Sequence, residues 1–449
     1  MPEDLRQIEW NEYNQTVLHP LALALLLVMF IFLLTAEKKR VFIPMIIISA
    51  LITSMQRIVV FSYDMTMIRI MLLGLFLRAR IRRDGEKFQW TLMDSFLVLY
   101  VISASITYIA LWRTASAVAN RLGFTMDVIL TFFGVRLYIR EREHIYTLIR
   151  GIAVISFIVA FFMLIEQLTQ YNLFHIFGGV REFTWVREGR MRAQGVFSHP
   201  ILAGTFGAVF FPLSWSLWYS GKHGDRTYSV LGIIGGIGMA LSSASSGPIL
   251  SLAGALFAMG MLKFRSYSRR LIFLFVLGLI VLSFFMDAPV WHLIARIDIV
   301  GGSTGWHRYA LIDAAINHFP EWLIFGVKTT GHWGWGLNDV TNMFVLQGVR
   351  GGIITLLLFI IIIYLGFKKV SHSLQVHQNN ENLIRLSWAW GSVLFAHFVS
   401  FFGISYFGQM DFFWYLTLGI ISALPEVLTQ DVKYTHKAAY LNEKSYTYR

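Results

Sequence analysis

The sequence predicts an all-α polytopic membrane protein with about 12–14 transmembrane helices and a large, partly helical outer loop. Three observations predict it. Runs of about 20 apolar residues, the length that crosses a bilayer as a helix, recur along nearly all of the 449 residues. Only 14% of residues are charged and 56% are hydrophobic, with a mean hydropathy of +0.59. A soluble domain is closer to a quarter charged. Finally, the basic residues sit between the apolar runs. The net charge of +12 therefore reads as membrane topology, not as affinity for nucleic acid. No polar stretch is long enough for a separate globular domain, so 1–449 is one integral membrane unit. Without cysteine there are no disulfides and no thiolate metal sites.

The start carries Glu3, Asp4, Glu9 and Glu12 against Arg6. That is not the basic leader of a secretory signal. The first apolar run, about 17–35, is therefore expected to be an anchor with its N-terminus outside. Further spans are expected at 41–61, 63–77, 91–111, 122–138, 150–168, 197–219, 228–243, 247–262, 271–286, 341–367, 386–404 and 411–428, thirteen in all. The run at 228–243 is short and rich in Gly and Ser, which suits close packing inside a bundle. Two intervening segments are long, 169–196 and 287–340, and a tail follows at 429–449.

Lysine and arginine set the sidedness. Glu37–Arg40, Arg78–Arg83, Arg136–Arg150, Lys222–Arg226, Lys263–Arg270, Lys368–Arg385 and the tail fall on one face, which holds 25 of the 38 basic residues. That face is expected to be cytoplasmic, with both long segments outside.

The exceptions to this bias are the informative charges. Segment 169–196 holds Arg181, Arg187, Arg190 and Arg192 on the face that disfavours them, just before His199-Pro200 opens a span. Guanidinium forks bind phosphate bidentately and stay charged at neutral pH. One reading is a clamp for an anionic group such as a lipid diphosphate; the other is a solvated loop in which Glu182 and Glu188 pair with their neighbours. The second reading suits Arg181 and Arg187, the first Arg190 and Arg192. Segment 287–340 mixes His292, Arg296, His307, Arg308, Asp313, His318, Lys328, His332 and Asp339 with five tryptophans. Indole faces stack on sugars, and histidine beside carboxylate can do acid–base work. A metal site is not expected, since no His-x-x-x-His or His-x-His pair occurs there. Within the apolar runs, Arg57 and Arg69 either face a common cavity or pair with acids such as Asp64 or Asp94. Gly348, Gly351 and Gly352 would let a helix approach closely and place Arg350 in the interior.

At three places the chain resembles the bacterial O-antigen polymerase and ligase family. Arg190-Met-Arg192-Ala-Gln-Gly195-Val-Phe-Ser198-His199-Pro200 is similar to its Arg-x-x-Gly-x-Phe-x-His-Pro pattern entering a mid-chain span. Ser303-Thr-Gly305-Trp-His-Arg308, through His318-Phe-Pro320 to Phe325-Gly326-Val327, is similar to the helix and turn that open the family's large loop. Thr341-Asn342 with Gly352 and Thr355 is similar to the His-(Asn/Ser/Gln)-x9-Gly-x-x-(Gly/Thr/Tyr) pattern at the loop's exit. The likeness covers about 180–430.

The resemblance implies a metal-independent, inverting glycosyltransferase without cofactor, at the outer face of the bacterial cytoplasmic membrane. Its donor would be a polyprenyl-diphosphate-linked glycan, polymerised into exopolysaccharide, capsule or O-antigen. A chain-length regulator and other assembly proteins would be its partners, along with the bilayer. By matching position, Arg190 or Arg192 and Arg308 inherit the diphosphate, with His199, Thr341, Asn342 and Arg350 lining the substrate. Thr341 stands where the family often has His. Asp339 or His332 would then activate the acceptor hydroxyl, and Asp339 is preferred. The alternatives are a ligase passing glycan to lipid A core, a flippase for lipid-linked oligosaccharide, and a non-catalytic paralogue.

Overall fold

A computed structural model describes residues 15–61, 63–219, 222–296 and 305–447, without side chains at 269 and beyond 429. The acidic start, Ser303, Thr304 and the side chains of the basic tail lie outside the described residues. The chain is almost entirely helical. The helices are α1 (Pro20–Thr35), α2 (Ile43–Leu51), α3 (Met67–Arg82), α4 (Leu92–Trp112), α5 (Ala115–Tyr138), α6 (Arg142–Thr169), α7 (Pro200–Leu217), α8 (Asp225–Ser242), α9 (Ser246–Gly260), α10 (Ser268–Phe285), α11 (Gly305–Asn317), α12 (Phe319–Trp322), α13 (Met343–Val376), α14 (Glu381–Ser400) and α15 (Gln409–Thr447). Two antiparallel hairpins interrupt them, β1 (Arg57–Val60) with β2 (Tyr63–Thr66) and β3 (Trp185–Arg187) with β4 (Arg190–Arg192).

Among the described residues, seven helices are long and apolar enough to cross a membrane, or eight if α10 and the helical turn Val290–Arg296, bent by 92°, form one span. The protein is thus an all-α, multi-pass membrane protein, with fewer qualifying spans than the thirteen expected. The clearest correction is at 41–61. There α2 stops at Leu51, Ile52 is extended, and Arg57-Ile-Val-Val60 becomes a strand. β-Branched residues favour that conformation. The next expected span, 63–77, starts with the partner strand and is helical only from Met67. The short Gly/Ser-rich span does pack as expected: a Cβ on Gly235 would strike the backbone of Ser156 and Phe157 at 2.5 Å, and α8 lies against both α6 and α7.

Arginines at both ends of the bundle are ion-paired. At the end crowded with basic residues, arginines find acids: Arg78 with Asp84 at 2.6 Å, Arg140 with Glu426 at 3.1 Å, and Arg150 with both Glu143 and Asp225 at 2.6 Å. Arg136 is fully buried between Asp94 and Glu426, each at 3.5 Å. A buried guanidinium needs such partners. At the opposite end Arg57 pairs with Asp64 at 3.4 Å, and Arg69 grips both oxygens of Asp127 at 2.8 and 2.6 Å. These two are structural ion pairs, not the lining of a shared cavity.

Candidate functional site: an arginine cluster without acids

The site begins with a hairpin. Arg187-Glu-Gly-Arg190 makes a two-residue turn with positive φ at Glu188 (50°) and Gly189 (73°), the combination that matches strand twist. Register then pairs Trp185 with Arg192 and leaves Arg190 exposed while Arg192 is buried. The chain after β4 is clamped by the end of α6. The Glu166 carboxylate accepts the backbone N–H groups of Gln194 (3.1 Å) and Gly195 (2.7 Å). His199 caps α7, its Nδ1 accepting from the Ile201 N–H at 3.1 Å, and Pro200 fills the first helical position.

Arg192 donates from Nε and Nη2 to Ser245 Oγ at 3.2 and 2.7 Å. Ser245 is the residue before α9, and its side chain makes no capping bond to that helix. The Arg308 guanidinium, from α11, lies against the first turn of the same helix: a Cβ on Gly247 would sit 3.6 Å from its Nη2. On its other side a Cβ at Gly403 would lie 3.3 Å from Cζ. At Gly247 a Cβ would make ordinary contact, and at Gly403 it would press on the guanidinium. Arg308 is 5% exposed, and its Nε is buried without a hydrogen-bond partner. Arg181 lies over the Trp185 ring at 4.5 Å, Arg192 beside it at 5.8 Å, and the His199 ring meets its edge at 5.8 Å.

The electrostatics follow from this crowding. Burial, then the charges of Arg187 and Arg308, pull Arg192 down to about 10. Burial and the charge of Arg187 lower Arg308 as well. Burial, helped by Arg192, Arg181 and Arg187, holds His199 neutral, down at about 4. Among the described residues no carboxylate forms an ion pair with Arg181, Arg187, Arg190, Arg192 or Arg308. Glu182 and Glu188 do not pair with Arg181 and Arg187 as the solvated-loop reading requires; tryptophan and the cluster take that place. Mutually repelling guanidiniums thus gather beside the start of one helix, α9.

The other expected residues divide. Asp339 is exposed, and its carbonyl accepts from His307 Nε2 at 3.1 Å, so the fold does bring it beside the residue preceding Arg308. Thr341 Oγ1 is buried and unbonded. Asn342 is occupied structurally: its Oδ1 accepts from the Phe344 and Val345 N–H groups at 3.0 and 3.1 Å, capping α13. His332 Nε2 contacts Glu321 Oε2 at 2.7 Å.

Arg350 is exposed, not interior. The glycines beside it do permit close approach, but of the segment after α12. A Cβ on Gly352 (φ 71°) would strike the Ile324 carbonyl, and one on Gly348 would strike the Trp322 ring at 2.8 Å. Arg350 lines a cleft between α4, α5, α13 and α15, with Arg121, Asp411, Tyr100, Tyr415 and Gln347. Sequence reading missed this cleft, Ser245, and Glu166. Each becomes visible only when helices distant in the chain are side by side. Neither a scan of protein-family models nor a search of curated proteins finds a match to this chain.

Proposed function

We propose that the protein is a membrane glycosyltransferase that polymerises polyprenyl-diphosphate-linked repeat units into exopolysaccharide, capsule or O-antigen at the outer face of the bacterial cytoplasmic membrane. The observation that carries the reading is the meeting of Arg192 and Arg308 beside the start of α9 with no acid paired to them among the described residues. A lipid diphosphate supplies the missing charge, and its own charge grows as it leaves. Fixed cations aimed at that growing charge stabilise the transition state more than the ground state.

The acceptor hydroxyl oxygen attacks the anomeric carbon of the donor from the face opposite the diphosphate. The carbon–oxygen bond to phosphate breaks, the configuration inverts, and the hydroxyl proton passes to the Asp339 carboxylate. Arg192 and Arg308 hold the departing diphosphate, while Arg187 and Arg190 on the hairpin draw the anion in. Neutral His199 adds no competing charge and keeps the entrance of α7 in place. No nucleotide or cofactor enters these steps.

Purified protein in nanodiscs, given polyprenyl-diphosphate oligosaccharide alone, is expected to lengthen the glycan and release free lipid diphosphate. Translocation of the lipid in vesicles without chain growth, across several repeat units, would overturn the proposal in favour of a flippase.

A further inference from the structure

The segment between α11 and α13 gathers a second cluster that shares no residue with the arginine site. His318 Nδ1 lies 2.6 Å from Glu321 Oε1, and His332 Nε2 lies 2.7 Å from Glu321 Oε2. The three ligand-type atoms all lie within 4.8 Å of one another. No short spacing in the sequence announces them, because His332 arrives from the far side of a turn.

We propose that His318, Glu321 and His332 bind a divalent first-row transition cation, with Zn2+ as its representative. Two imidazole nitrogens and a carboxylate oxygen form a ligand set used by zinc, with bonds of about 2.0–2.2 Å and a fourth position for water. Ligand atoms around such an ion stand roughly 3–3.5 Å apart, so the two contacts to Glu321 open by less than about 1 Å to admit it. The site is too poor in oxygen for Ca2+ or Mg2+, which take six or more oxygen ligands. Partial exposure of all three residues leaves a route for the ion and room for its water.

The surroundings hold the ligands in place. The Trp333 indole N–H donates to Glu321 Oε2 at 2.9 Å, the outer-shell bond that orients a ligating carboxylate. His318 stacks on the same indole, with centroids 5.4 Å apart and planes 12° apart. Trp333 itself is 9% exposed, so this platform is anchored in the core. On the other side, the Trp322 indole N–H binds the Ala315 carbonyl at 2.7 Å, and the Ile353 and Val327 N–H groups tie residues 323–327 to α13 at 2.9 and 2.8 Å. Both elements that carry ligands are thus framed independently of an ion, and binding loses little ordering entropy.

The cation would staple α12 to the turn Gly331–Trp333 and so fix the chain that leads to Asp339. Its role is to hold that loop, apart from the reacting atoms. The alternative is a plain hydrogen-bonded network in which Glu321 serves two histidines and a tryptophan.

The full-length, untagged protein is stripped with chelator in detergent and titrated with ZnCl2 by calorimetry. Saturable uptake of one equivalent is expected. His318→Ala, His332→Ala and Glu321→Gln should each weaken it by about 100-fold, and Trp333→Phe by about 10-fold. Circular dichroism checks that each variant keeps its helices. Co2+ on the wild type, independent of any variant, should give the intense visible bands of a four-coordinate nitrogen–oxygen site. No saturable uptake, or uptake unchanged in both histidine variants, would overturn the proposal.

Discussion

Arg192 and Arg308, from segments far apart in the chain, meet at one helix start: Arg192 binds Ser245, and Arg308 rests against Gly247 two residues later. Elsewhere in the protein, arginines such as Arg78, Arg136 and Arg150 are ion-paired. The contrast matters more than the number of charges. Paired arginines build the fold, whereas Arg192 and Arg308 pair with no acid among the described residues, and the proposed diphosphate would supply that negative charge.

Asp339 is the proposed acceptor base, and its exposed carboxylate leaves it free to meet a hydroxyl. Asp339→Asn keeps the shape and removes the basicity. Turnover is expected to fall by about 100-fold or more, with lipid-diphosphate binding unchanged. Steady-state rates and an equilibrium binding assay, measured side by side, check the split. Equal loss of binding and turnover would place Asp339 in the diphosphate site instead.

His199 sets a stability window. In the unfolded chain it takes a proton near pH 6.5, but in the folded state not until about 4. Between those values the unfolded chain binds more protons, so stability is full above pH 6.5 and falls as the pH drops towards 4. His199→Asn retains a helix cap but cannot titrate. Thermal unfolding between pH 7 and 4.5 should show a shallower decline for the variant, and equal slopes would contradict the assignment.

Asn342 caps α13. Asn342→Ala should cost about 1 kcal/mol of stability, and Asn342→Ser should recover most of it. Kinetic measurement is expected to give the same KM in both variants. A raised KM with unchanged melting temperature would restore the substrate role that the sequence suggested.

Gly352 sits at φ 71°, ψ −176°, where its α-carbon faces the Ile324 carbonyl. That region of backbone space belongs to glycine. Gly352→Ala is expected to destabilise the protein by about 1–3 kcal/mol, read as a lower melting temperature in detergent. Gly278→Ala, in α10 with open space at its Cβ and ordinary φ, serves as the comparison.

Some of this was legible in the sequence because it depends on local chemistry. Apolar runs and basic punctuation give helices and a membrane, while the hairpin turn at Glu188 and Gly189 was not foreseen. Arg192 stood out because it sits on the face that disfavours positive charge. Other features needed tertiary contact. The strands at Arg57–Thr66 are apolar enough to pass for helix, and only their pairing separates the two. The partners of Arg69 and Arg136, the metal-like trio at Glu321, and the cleft around Asp411 join residues whose separation hides any spacing rule. The glycines around Arg350 signalled close approach correctly, but not which segment approaches.

The central claim is that the arginine cluster holds a lipid diphosphate, and equilibrium binding tests it most directly. Polyprenyl diphosphate titrated into the protein in nanodiscs should bind saturably, with affinity reduced about 100-fold in Arg192→Ala/Arg308→Ala. Arg78→Lys, at the ion-paired end, should bind as the wild type does. Unchanged affinity in the double variant, with its helices intact, would contradict the account.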